Sequence, residues 1–322
     1  MEVKTTFLGD LLELLYILSV ILVLLYSLFI FVKDTRVFYH QMLLPRSDPN
    51  KISFLIDPSP QKNIIVPFET IQAVPEVEFS VVVPISNGEN WISRLLAEIC
   101  EFLDQIGAIS SEILIVDNFS SDKSYQIALD FAEREKRVRI LRLNKTHPPG
   151  FCAVTGAIHS RGQKIMVHFP YIGIGVPELK KFNERFAAFS GSEEKSILFG
   201  IFSEKDVPNT NFYNCLSCFS SLLWSLIGIE GGPYQRSHSI MMSRSAAKIL
   251  LPKVLSTGIS YEIELIALSG QNNVEVDSVF CEQSSNNHHQ WSSMDRLSDL
   301  ILQIMLVIMI KTGVHRFIVS NL

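Results

Sequence analysis

Two arginines, two glutamates, an aspartate and a histidine are the side chains of this chain best suited to chemistry. Arg236 and Arg244 carry fixed positive charge, and a guanidinium grips an anion through parallel N–H donors. Glu262 and Glu264 are two residues apart. On a strand they would share one face. Each carboxylate would equally cap a turn or pair with an arginine. Asp117 closes an apolar run, where it can accept a hydrogen bond from a ligand or cap a turn. His168 closes another, as a metal ligand or as a packed, hydrogen-bonded ring. His288 and His289 are adjacent, so in extended chain they point apart and make a poor metal pair. Cys215 and Cys218 form a lone C-x-x-C; zinc would need two further ligands, and buried, reduced thiols are the plainer reading.

The elements that must hold these residues alternate. "FSVVVPI" from Phe79 is a continuous apolar run, as expected of a strand covered on both faces. Ile92, Leu95, Leu96, Ile99, Leu103 and Ile106 recur at helical spacing and stop at Gly107. "SEILIVD" is the next strand, "YQIALDFAERE" a helix, "VRILRL" a strand, "GFCAVTGAIHSRG" a helix and "KIMVHF" a strand. This period predicts an α/β fold with a mainly parallel, doubly wound sheet. Ligands of such sheets sit outside the carboxyl ends of the strands. The positions to watch are therefore 84–89, 117–122, 144–151 and 168–175.

Composition narrows the class. Charged residues are 19% and hydrophobic residues 47% of the 322, and the net charge is −5, so no basic field favours nucleic acid. Five cysteines argue against a closed disulfide framework. Leu14 to Val32 contains no charge, and at roughly 1.5 Å per residue it is long enough for the ~30 Å hydrocarbon layer. Acidic residues Glu2, Asp10 and Glu13 precede it and large residues line its exit, which argues for a permanent anchor over a cleaved signal. Lys33 and Arg36 follow it, which puts the main domain on the cytosolic side. The expected organisation is an anchor over 1–33, a proline-punctuated linker over 34–75, the α/β domain over 76–290 and an apolar helical region over 291–322. That last region, with Leu297 to Lys311 apolar nearly all round, would lie at the membrane surface or pack under the sheet or in a dimer.

In order, "SVVVPISNGENWISRLL", "EILIVDNFSSDKS", "RILRLNKTHPPGFCAVTGAIHSRGQKIMV", "VPELKKF", "SRSAAKILLP" and "ISYEIELIAL" resemble the family 2 inverting glycosyltransferases. The likeness runs over roughly residues 1–315 and is nearest the dolichyl-phosphate β-glucosyltransferase group. It implies a GT-A fold behind an N-terminal transmembrane helix, in the endoplasmic reticulum membrane with a single pass and the domain facing the cytosol. It implies transfer of glucose from UDP-glucose to dolichyl phosphate for protein N-glycosylation. The partners implied are the membrane lipid and a UDP-sugar, with no nucleic acid; a homo-oligomer or a paralogue partner is compatible with it.

Mapped onto this chain, the resemblance gives donor-binding roles to Pro84, Asn87, Glu89, Asp117 and Ser120, with Asp117 facing the uracil ring. It gives acceptor-phosphate roles to Arg236 and Arg244, and acceptor or catalytic roles to Glu262 and Glu264; Glu282 also matches. Several motif positions differ. Ser86 replaces a tyrosine and Gly88 a glutamate, and Phe119 falls on a glycine. A basic glycine-rich loop becomes "HPPGFCA" from His147, an S-R pair becomes Ile201–Phe202, and the acceptor loop becomes "YQRSHS" from Tyr234. The paired aspartates that clamp Mg²⁺ or Mn²⁺ fall on Phe169 and Tyr171. Hard cations need hard oxygens, so the family's metal is expected not to bind here. Activity is expected to be weakened or lost, the alternative being an inactive pseudoenzyme acting as a partner or regulator at the membrane.

Overall fold

Val81 to Ile85 are all fully buried because their strand lies in mid-sheet, with a helical layer on each face. The computed structural model describes residues 55–56, 71–108, 110–169, 176–189, 195–202, 239–254 and 261–281, with the isolated positions Ser19, Leu22, Gly258 and Gly313. Apart from Ser19, Leu22 and Gly313, the expected anchor and the C-terminal apolar region lie outside the described residues, as do Tyr171, Cys215, Cys218, Arg236, Glu282, His288 and His289. Among the described residues no helix is long and apolar enough to cross a membrane.

The strands are β1 (Leu55–Ile56), β2 (Val77–Ile85), β3 (Ser111–Asp117), β4 (Val138–Arg142), β5 (Gly162–His168), β6 (Ser196–Phe202), β7 (Ser239–Ser243) and β8 (Glu275–Cys281). The helices are α1 (Ile92–Gln105), α2 (Ser124–Arg134), α3 (Pro149–Ile158), α4 (Val176–Phe189), α5 (Arg244–Leu250) and α6 (Tyr261–Gln271), and a short 3₁₀ turn, Leu251–Lys253, follows α5. The sheet order is β1-β4-β3-β2-β5-β7-β6-β8. β2 to β5 are mutually parallel, as the strand–helix alternation requires. β7 runs antiparallel between β5 and β6 and β1 is antiparallel at the edge, within a sheet that is otherwise parallel, as the mainly parallel expectation allows.

Alternation along each strand feeds two cores. Val81, Val83, Ile85, Ile113 and Ile115 meet α1, α2 and α4 through Leu96, Phe102, Ala128, Phe182 and Phe186. Val82, Leu114, Val116, Ile165 and Val167 meet α3, α5 and α6 through Ala153, Ala157, Ala247, Ile263 and Leu265. Helix ends follow local chemistry. The Ser243 hydroxyl accepts the Ala246 N–H to cap α5. Pro149 opens α3, where a missing N–H costs nothing. α3 ends at Ile158, four residues before the end of the expected helix, because Gly162 already belongs to β5.

A charged staple ties the amino ends of the parallel strands. Buried Glu112 accepts from Ser80 Oγ at 2.6 Å, Arg139 Nη1 at 2.8 Å, the Arg161 N–H at 2.5 Å and Arg161 Nε at 2.9 Å. Burial is the largest influence on its carboxyl and opposes ionisation, but Arg139, Arg161 and Ser80 together hold it below the ordinary range.

Candidate functional site

Ile85, Asp117, Arg142 and His168 end the four parallel strands on one edge of the sheet. Ile85 stands opposite Asp117 and Asp117 opposite Arg142. The loops leaving β2 and β3 are laced together. Asn87 N–H donates to Ser120 Oγ at 3.0 Å, Gly88 N–H to Ser124 Oγ at 2.6 Å and Glu89 N–H to Asp122 Oδ2 at 3.0 Å. In return Asn87 Oδ1 accepts the Ser121 N–H at 2.9 Å, and Glu89 Oε2 accepts the Lys123 N–H at 3.1 Å. Asn87, Glu89, Asp117 and Ser120, four of the expected donor-binding residues, are thus brought together. The fifth, Pro84, is a buried strand residue paired with Val116 beneath them.

Asp117 is fully buried. Its Oδ1 accepts the Ser120 N–H at 3.2 Å. Its Oδ2 lies 3.3 Å from Arg142 Nε, near enough for an ion pair but without hydrogen-bond alignment, and so keeps an open lone pair. Burial pushes its carboxyl above the usual range, against Ser120 and Arg142. The Arg142 guanidinium also sits 4.1 Å from the centre of the Tyr125 ring. Asn118, also buried, fixes the next loop: its Nδ2 donates to the His147 carbonyl at 2.8 Å and its Oδ1 accepts the His147 N–H at 2.7 Å. The His147 ring stacks on Phe151, centroids 4.1 Å apart, and burial lowers it to about 4. Ser124, Tyr125 and Arg142 lie outside the stretches singled out from the sequence; only the cross-strand register shows that they meet Asp117 and its loop.

At the end of β5 the side chains face opposite layers. Phe169 joins the apolar cluster of α3, α5 and α6, 6% exposed, with its ring 6.3 Å from Tyr261. His168, completely buried, places Nδ1 2.7 Å from Ser239 Oγ, while Nε2 has no partner. Burial lowers its pKa to about 4. An apolar ring at one clamp position and a histidine turned to the other layer do not fit a divalent cation. Among the described residues no three His, Cys, Asp or Glu side chains gather to hold one.

Two expectations are corrected. Arg244 lies at the other end of the sheet, because the antiparallel β7 carries the chain back before α5 begins. Its guanidinium is buried and donates to the carbonyls of Ala73, Ser160 and Gly162 at 2.9–3.3 Å, a structural lock in place of an acceptor-phosphate site. Glu262 and Glu264 lie in the first turn of α6 and not on a strand. A two-residue step on a helix turns them to different faces: Glu264 is fully buried, and Glu262 stays partly exposed beside Tyr261.

Residues 80–168, which hold most of β2 and all of β3–β5 with their loops, match the model of the family described as Glycosyl transferase family 2. The chain is 24% identical to a dolichyl-phosphate beta-glucosyltransferase of Trichomonas vaginalis, ALG5C, over 77% of this chain and 76% of that one. It is 30% identical to a second one, ALG5A, over 62% and 63%. Residues 80–168 thus carry a family 2 glycosyltransferase domain, within a chain similar to the dolichyl-phosphate beta-glucosyltransferases. A human dolichyl-phosphate beta-glucosyltransferase is 28% identical over 31% of this chain and 33% of its own. Among solved structures, Mycobacterium tuberculosis glucosyl-3-phosphoglycerate synthase in complex with Mn²⁺, uridine-diphosphate and phosphoglyceric acid aligns with a TM-score of 0.53 at 14% identity, over 73% of this chain and 78% of that one. That likeness is one of fold. It places the domain among α/β folds of the GT-A type.

Proposed function

We propose that this chain is a membrane-anchored UDP-sugar protein of the dolichyl-phosphate β-glucosyltransferase group in which glucose transfer to dolichyl phosphate is strongly weakened. The observation that carries this reading is Phe169, buried against Tyr261 where the family places half of its metal clamp. Transfer from a nucleotide-sugar leaves a diphosphate, and cations must meet its charge. A clamp worth about 4 kcal/mol accounts for roughly a thousandfold in rate. The donor side of the crevice keeps Asn87, Asp117 and Ser120 in one laced unit. The uncharged run Leu14 to Val32 and the basic residues after it support an anchor in the endoplasmic reticulum membrane with the domain in the cytosol.

The test is direct. Purified full chain with UDP-glucose, dolichyl phosphate and Mn²⁺ is expected to form glucosyl lipid at least about a thousandfold more slowly than a relative that keeps its paired aspartates. Turnover matching that relative would refute the reading. A second reading, a catalytically silent partner or regulator, is favoured by the backbone donors of the β2 and β3 loops, which are satisfied within the protein. Product at the level of a mock preparation selects it.

A further inference from the structure

We infer that Phe119 is the platform on which the nucleobase of a uridine nucleotide stacks, replacing an aromatic side chain that this chain lacks at Ser86. The inference rests on the UDP-sugar reading above.

Phe119 has φ 56, in the left-handed region that a residue with a bulky side chain rarely enters. The conformation is imposed from both sides. Asn118 before it is pinned by both side-chain amide atoms to His147 and by its N–H to the Ile85 carbonyl. Ser120 after it is pinned by Asp117 Oδ1 and by the Asn87 N–H. Both neighbours are buried, at 8% and 6% exposure, while the phenylalanine between them is 50% exposed. A strained backbone that turns a large apolar ring outward from a rigid rim is a feature of sites that meet a ligand.

Its position says which part of the ligand. Ser86 and Phe119 follow the paired strand ends Ile85 and Asp117. The chain therefore loses an aromatic from one strand end and gains one on the neighbouring strand, at the rim of the same crevice. Two residues before Phe119, Asp117 Oδ2 is buried with no hydrogen bond. An aromatic side chain two residues from a carboxylate whose Oδ2 has only Arg142 Nε near it, at 3.3 Å and without a hydrogen bond, suits a flat heterocycle with a ring N–H, which uracil is. A lone exposed phenylalanine is common on protein surfaces and could also seat in a bilayer. The rim around it, however, carries exposed Glu89 and partly exposed Asp122 with exposed Lys123 beside them, a balance that gives an anionic lipid surface no net attraction and leaves a neutral base indifferent.

Calorimetry on the full chain with UDP, uridine and inorganic pyrophosphate tests this, using wild type, Phe119→Ala, Phe119→Gly and Phe119→Tyr. UDP and uridine should bind Phe119→Ala and Phe119→Gly about tenfold more weakly, or worse, than wild type. Pyrophosphate should be unaffected and Phe119→Tyr should bind like wild type. A rim that merely loosened would weaken pyrophosphate as well, which would overturn the inference. If wild type binds UDP and Phe119→Ala binds it within twofold, the platform is wrong while the UDP-sugar reading stands. If wild type binds none of the uridine compounds, that reading falls and the platform with it. Phosphatidylserine-containing vesicles retained by wild type but not by Phe119→Ala, with UDP affinity intact, would assign the ring to the membrane and refute the proposal.

Discussion

Phe119 stores free energy in its backbone. The left-handed region costs a side-chain-bearing residue about 1–2 kcal/mol, and glycine enters it freely at some cost in chain entropy. Phe119→Gly is therefore expected to raise stability by about 0.5–1 kcal/mol, read as a higher urea midpoint with an unchanged slope. A clear fall would mean that the ring packs onto the rim more tightly than its half-exposure indicates. Arg244 shows the converse at the same scale. A guanidinium offers the same donors to a phosphate as to three backbone carbonyls, so residue type alone could not choose between them. Its place at the amino ends of the parallel strands chooses the carbonyls.

At the scale of elements, α3 sits hard against the sheet. A Cβ at Gly156 would come within 2.3 Å of Val82 Cγ1 and 2.7 Å of Val116 Cγ2. Those methyls belong to short, stiff side chains in the middle of the sheet and have nowhere to turn. Alanine favours a helix over glycine by about 1 kcal/mol, yet overpacking of this kind costs about 1–3 kcal/mol. Gly156→Ala should lower the thermal midpoint; a rise would show that α3 can slide off β2 and β3. The elements from β2 to β5 were legible because each buried strand is an apolar run and each helix carries a 3.6-residue stripe. β7 and α6 were not. Ser239–Ser243 is only five residues long, and the first turn of α6, Tyr-Glu-Ile-Glu, alternates like a strand.

The whole molecule has a pH response built into its buried histidines. Burial brings His168 and His147 to about 4, against about 6.5 in an unfolded chain. Their folded values are depressed, so the unfolded chain takes up protons first. The stability of the neutral rings is complete above pH 6.5 and is lost as pH falls toward 4. For the fully buried His168 this amounts to about 3 kcal/mol at the acid end. The thermal midpoint should drop between pH 7 and pH 5, and His168→Gln, which can still reach Ser239, should flatten part of that drop. Glu112 adds to the acid sensitivity only lower, once pH falls below the ordinary carboxylate range. A midpoint that does not move over the two units would contradict a neutral, enclosed His168.

By itself the sequence determined the α/β alternation and the apolar, acid-free end of β5 at Phe169, because these depend on residue type and spacing along one strand or helix. Tertiary structure decided what those residues meet. Antiparallel β7 carried Arg244 away from the crevice, helix α6 turned Glu262 and Glu264 apart, and the register of β3 against β4 set Arg142 beside Asp117. Cross-strand contacts join residues far apart in the chain, and a hydrogen-bond donor or a charge carries no label for its distant partner. That is why the types were readable in advance and the pairings were not.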